Sequence, residues 1–181
     1  MSLSDDGNAL SESVQSLPSN WYYDDKFYKK ELSSIWSKNW IYACHSNSLD
    51  GPRAYQTIKI GTQSIIVLRD RNGDLRAYYN TCRHRGSALC QEKTGKLKTP
   101  VFLCPYHQWS YSLEDGRLIK TSSFKNPDNF IKEDYGLFKV KLQEWRGCIF
   151  IKLDEESEWD IENLFQRSAN ELKRFPIEDM K

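Results

Sequence analysis

Apolar positions recur along this chain with two different periods, and the change from one to the other divides it. In residues 24–40, DDKFYKKELSSIWSKNW, Tyr28, Leu32, Ile35, Trp36 and Trp40 fall at three- and four-residue steps, the spacing that gathers side chains on one face of a helix. Asp24 or Asp25 stands where a cap belongs. The stripe predicts a helix packed on a sheet. From Tyr55 to Leu153 the runs are short, β-branched and aromatic, and they predict strands at 55–60, 64–69, 75–79, 108–112, 118–120, 137–144 and 148–153. Turn residues at Gly61-Thr62, Asp70 to Gly73 and Glu114-Asp115-Gly116 separate them. Helical spacing returns in residues 159–174 through Ile161, Leu164, Phe165 and Leu172. Glu155, Glu156, Glu158 and Asp160 precede or open that helix, where they oppose its dipole. The Ser-rich, acidic residues 1–17 read as a disordered tail. The organisation is therefore a tail, a helical segment at 18–40, a mainly β antiparallel domain at 41–153 and a helical lead-out at 154–181.

Composition narrows the partners. The 181 residues suit one domain with an appendage, and 26 Lys and Arg nearly cancel 25 Asp and Glu. No global field then draws the chain to nucleic acid or to a membrane. No apolar run reaches the roughly 18 residues of a membrane span. The start, MSLSDDGNAL, has neither the basic nor the apolar region of a signal peptide. A cytoplasmic location is expected, with the five Cys reduced. Cys44 and Cys148 sit among apolar residues and read as core, Cys90 as a buried thiol, and His45 as a structural or surface residue.

The chemistry lies in two short strings. Cys82-Arg83-His84 and Cys104-Pro105-Tyr106-His107 use two of the three His, and each falls between predicted strands. Two facing loops would offer two thiolates and two imidazoles to one centre. Zinc modules of the Cys2His2 type space their ligands differently, and blue copper has no use for a second thiolate. A two-iron, two-sulfide cluster, with both Cys on one iron and both His on the other, fits directly. Arg83, Arg85, Lys93, Lys96 and Lys98 make the neighbourhood basic, against Glu92 alone; such a run reads first as a solvated face without a partner, and as the alternative a docking surface for an acidic electron donor.

The strings Cys82-Arg83-His84-Arg85-Gly86 and Cys104-Pro105-Tyr106-His107-Gln108-Trp109-Ser110-Tyr111 resemble the Rieske motif of the large subunits of Rieske non-haem iron oxygenases, the ring-hydroxylating and quaternary-amine demethylating enzymes. The resemblance runs from Leu17-Pro18 to about residue 175. It implies an antiparallel β-sandwich with a cluster-binding subdomain of two loops and flanking helices. It also implies that Cys82 and Cys104 hold one iron, and His84 and His107 the other through Nδ1. Arg85 and the amides around Gly86 would donate to the sulfides, Trp109 would pack beside the second loop, and Tyr111 would donate to the cluster. Gln108 stands where the family usually has Gly. Ser87 and Tyr106 match the disulfide cysteines of respiratory Rieske proteins, so that disulfide is absent.

The family implies a ferredoxin or flavin reductase as electron donor and neighbouring oxygenase subunits, trimeric in full length. It also implies a mononuclear Fe(II) in a catalytic domain that would begin about where this chain ends. One His is left after the cluster, so these 181 residues are expected to transfer electrons only. A free-standing Rieske ferredoxin is the alternative. Among substrates, quaternary amines are favoured over aromatic rings.

Overall fold

The structure is a computed structural model that describes residues 16–122, 126–154, 160–166 and 168–180. Its strands are β1 (Ile41–His45), β2 (Ala54–Ile60), β3 (Gln63–Arg69), β4 (Leu75–Tyr79), β5 (Thr94–Lys96), β6 (Val101–Leu103), β7 (Ser110–Ser112), β8 (Leu118–Lys120), β9 (Lys141–Trp145) and β10 (Cys148–Lys152). They form three antiparallel sheets, ordered β1-β10-β9, β4-β3-β2-β5 and β6-β7-β8. The fold is mainly β, as expected.

Strand β3 explains the arrangement of the core. Ile65, Ile66, Val67 and Leu68 are all fully buried. Successive side chains on a strand point to opposite faces, so this run serves two cores. Ile65 and Val67 join Cys44, Ala77, Ile149 and Ile151 on one side. Ile66 and Leu68 join Tyr78, Phe102, Tyr111, Leu113 and both candidate ligand cysteines on the other. The second core is the floor of the site.

The helical ends depart from expectation. After a 3₁₀ turn at Ser19–Tyr22, α1 spans Asp25–Glu31 and passes into a wider turn at Leu32–Trp36. Asp24 caps it, accepting from the Lys26 amide at 2.9 Å. Leu32 seats on Gly61, where a Cβ would meet its methyl at 2.8 Å. Tyr28, Ile35 and Trp36 stay about half-exposed, so much of the stripe faces outward rather than into a sheet. The helix stops short because residues 41–45 pair with β10. The stretch 159–174 breaks into α2 (Ile161–Phe165) and α3 (Ala169–Leu172). Each piece has its own anchor: Phe165 stacks on Trp145 at 4.4 Å, and the Leu172 carbonyl accepts from Arg146 at 2.7 Å. Asp160 caps α2, accepting from the Asn163 amide at 2.8 Å. Glu155, Glu156, Glu158 and the tail up to residue 15 lie outside the described residues.

Candidate metal centre

Both candidate loops hang from the second core and close in the same way. The first connects β4 to β5. In it the Cys82 carbonyl accepts from the Gly86 amide at 2.9 Å, and the Cys82 amide donates to the Ser87 carbonyl at 2.8 Å. The second connects β6 to β7. There the Cys104 carbonyl accepts from the Gln108 amide at 3.0 Å, and the Cys104 amide donates to the Trp109 carbonyl at 2.8 Å. Both turns need a left-handed residue at the fourth position after Cys: Gly86 has φ 72° and Gln108 φ 59°. Gln108 therefore adopts the conformation that glycine would take without strain. It also explains why β7 starts at Ser110 rather than at 108.

The loops bring the four predicted ligands together as two pairs. Cys82 and Cys104 are both 2% exposed and lie in the same buried cluster. The imidazoles of His84 and His107 meet edge to face, with centroids 4.7 Å apart. Among the described residues, no three of His, Cys, Asp or Glu are arranged around a single ion. A mononuclear Cys2His2 site would need all four to converge. Two thiols beside two imidazoles suit a centre with two metals. His84 Nδ1 is buried and, among the described residues, has no hydrogen-bond partner, which is the condition of an atom reserved for a metal. The residues present therefore fit a Rieske-type cluster.

Their surroundings tune the protonation states. Burial pushes the Cys82 thiol up, and the Tyr111 hydroxyl opposes this by bonding the sulfur. Burial, then the neighbouring His107 and Arg85, hold His84 below the ordinary imidazole range. The neutral imidazole that a metal requires is thus favoured. Tyr111 is fully buried. Its Oη lies 3.1 Å from Cys82 Sγ and accepts from the Arg83 amide at 3.1 Å. Trp109 reaches further than expected: it crosses from the second loop to stack on the His84 ring, at 4.7 Å and 11°. Tyr106 covers His107 at 3.8 Å.

Other expectations need adjustment. The Gly86 amide is engaged by the Cys82 carbonyl, so it closes the loop. Arg85 is exposed. Arg83 turns inward, its guanidinium 3.9 Å over the Phe138 ring. Lys96 ends edge strand β5, with Nζ on the Asp50 carbonyl at 3.3 Å, so the basic residues do not all crowd the loops. His45 is structural: Nδ1 accepts from the Asn47 amide and Nε2 bonds the Ile177 carbonyl at 2.9 Å. Cys44 and Cys90 are buried as expected; Cys148 is half-buried.

One positioning residue escaped the sequence reading. Asn80 Oδ1 accepts from the Leu89 and Cys90 amides, both at 2.9 Å, and Nδ2 donates to the Cys90 carbonyl at 2.7 Å. It fastens the far end of the first loop to the end of β4. The available signal was an amide side chain at a strand-to-loop junction, where Asn often bonds backbone.

The family model for the Rieske [2Fe-2S] domain matches residues 39–141. The carnitine monooxygenase oxygenase subunit of Escherichia coli K12 is 34% identical over 166 residues, covering 91% of this chain and 44% of that protein. The crystal structure of the apo form of the quaternary ammonium Rieske monooxygenase CntA superposes with TM-score 0.83 at 32% identity, covering 92% of this chain and 48% of that one. A further quaternary ammonium Rieske monooxygenase structure, described as revealing inter-subunit electron transfer, matches with TM-score 0.77 at 30% identity over 90% of this chain and 47% of its own. This chain spans less than half the length of these relatives.

Proposed function

We propose, for a chain that belongs to the Rieske [2Fe-2S] domain family, that its two loops hold a cluster with Cys82 and Cys104 on one iron and His84 and His107 on the other, and that residues 41–153 are the electron-transfer unit of an oxygenase. The observation that carries the ligand assignment is the buried Nδ1 of His84, which has no hydrogen-bond partner among the described residues, together with the two buried thiols of Cys82 and Cys104. When bound, the cluster supplies reversible one-electron transfer. The chain's own residues root the sulfurs in the core, favour the neutral form of the His84 imidazole, and leave both rings part-exposed for electron exchange.

The relatives are oxygenase subunits, which supports an oxygenase over a free-standing ferredoxin. In this reading a ferredoxin or flavin reductase in the cytoplasm delivers electrons. They pass to a mononuclear Fe(II) held by residues beyond these 181, in a trimer of neighbouring oxygenase subunits. His45, engaged by Asn47 and Ile177, does not contribute a ligand to that iron. Quaternary amines are the substrate class favoured by the carnitine-oxidising relative. Analysis of purified protein should give about two irons and two sulfides per chain. Zinc without sulfide would overturn the assignment.

A further inference from the structure

We propose that Arg83 is a positioning residue that sets the hydrogen bond from Tyr111 to the Cys82 sulfur by clamping the first loop onto the segment Asp134–Phe138. The inference rests on the ligand assignment above.

Its basis is the set of contacts on either side of one residue. The Arg83 amide donates to Tyr111 Oη at 3.1 Å, and the same oxygen lies 3.1 Å from Cys82 Sγ. A metal-bound sulfur carries no proton and can only accept. With one lone pair of Oη taken by the Arg83 amide, the single phenolic proton is left to point at Sγ. The geometry of that bond therefore depends on where the peptide between Cys82 and Arg83 sits. The Arg83 side chain leaves the loop in the other direction. Its Nη2 donates to the Asp134 carbonyl at 3.2 Å, and its guanidinium lies 3.9 Å over the Phe138 ring.

The far end of this clamp is itself anchored. The Phe138 carbonyl accepts from the Tyr79 amide at 3.0 Å, and the Leu137 amide donates to the Gly116 carbonyl at 2.8 Å. Phe138 also meets the Tyr79 ring edge to face at 6.4 Å. The clamp thus ties the loop to β4 and to the β7–β8 turn. Arg83 Nε is buried and, among the described residues, has no hydrogen-bond partner. The side chain is held by the ring and one carbonyl, and a flat cation suits that better than an ammonium.

Two variants test the clamp without removing charge: Arg83→Lys, which keeps the cation but not its planar face, and Phe138→Leu, which removes the ring. Each is loaded with cluster, and its midpoint potential is measured by voltammetry beside Tm. Both are expected to shift the potential negative, because a weakened hydrogen bond to sulfur disfavours the reduced state. In a Tyr111→Phe background neither should shift it further. Potentials equal to wild type, or shifts that persist undiminished without the Tyr111 hydroxyl, would overturn the proposal. So would failure of both variants to fold by circular dichroism, since the role would then be structural. If wild-type protein holds no iron and sulfide, the ligand assignment fails instead.

Discussion

At the scale of single residues the second loop and strand β7, which follows it, carry two contrasting features. Tyr111 is held on both sides, with Oη between the Arg83 amide and Cys82 Sγ and the ring in the core. Tyr111→Phe keeps the packing and deletes one donor to sulfur. The midpoint potential should fall by some tens of millivolts, about what a hydrogen bond of ~1 kcal/mol is worth in a one-electron couple. The wild-type value is expected near the low end of the Rieske range, about −150 mV. Trp109 carries no hydroxyl to donate to a sulfur, and its ring stacks on His84. Voltammetry at pH 7 checks both; a wild-type potential above about +100 mV would contradict this account of the sulfur bonds. Gln108, by contrast, is strained. Its φ of 59° is one that glycine adopts freely and a residue with a Cβ adopts at a cost of about 1–2 kcal/mol. Gln108→Gly should therefore raise Tm by about 2–4 °C, the shift expected of ~1 kcal/mol in a chain of this size, with the visible spectrum unchanged. A lower Tm in calorimetry would mean that unfolded-chain entropy outweighs the relief of strain.

At the scale of elements, Asn80 decides how firmly the first loop is closed. Its amide group holds the backbone of Leu89 and Cys90, and burial pushes the Cys90 thiol up to about 12. Because the folded value is raised, Cys90 stabilises the fold fully below the ordinary thiol range. That contribution is lost as pH climbs from about 9 through about 12. Iodoacetamide at pH 8.5 should leave Cys90 unlabelled in the native protein, since the thiolate is the nucleophile. In Asn80→Ala the labelling should appear; mass spectrometry showing equal protection would remove Asn80 from this role.

The same scale shows what the sequence makes legible. Strands β2, β3, β4, β8 and β10 lie where their apolar patterns put them, because each carries enough alternating or continuous apolar residues to signal burial. Edge strand β5, Thr94–Lys96, is exposed and polar throughout, so no pattern marks it. Strand β6 has three residues and ends against Cys104. Strand β1 adjoins a helical stripe whose Trp36 and Trp40 extend the helical pattern toward it. The candidate metal centre stands out in the sequence because ligand chemistry fixes residue types within a loop. The clamps around it, Asn80 and Arg83, act through backbone atoms of distant segments and leave no local pattern.

At the scale of the whole molecule, the distribution of charge decides how an electron donor would approach. The sequence groups five basic residues around the ligand loops, but the fold separates them. Arg83 is turned onto Phe138 and the Asp134 carbonyl. Lys93 and Lys98 flank β5, and Lys96 ends it with its ammonium on the Asp50 carbonyl. Arg85 is left as the exposed cation next to His84. Steering between opposite charges is screened beyond about 8 Å at physiological ionic strength, so only charges near the point of electron entry govern a short-range encounter. If entry is at the exposed edge of the two imidazoles, reduction by an acidic donor should slow as salt rises. Arg85→Gln should then lower the second-order rate about 1.5- to 5-fold at low salt, the worth of one exposed pair of ~0.2–1 kcal/mol. Lys96→Gln should leave it unchanged. Stopped-flow reduction across a range of salt concentrations distinguishes the cases. Sensitivity to Lys96 and not to Arg85 would move the docking face to the β5 edge, and a rate flat in salt would show that charge does not guide the donor at all.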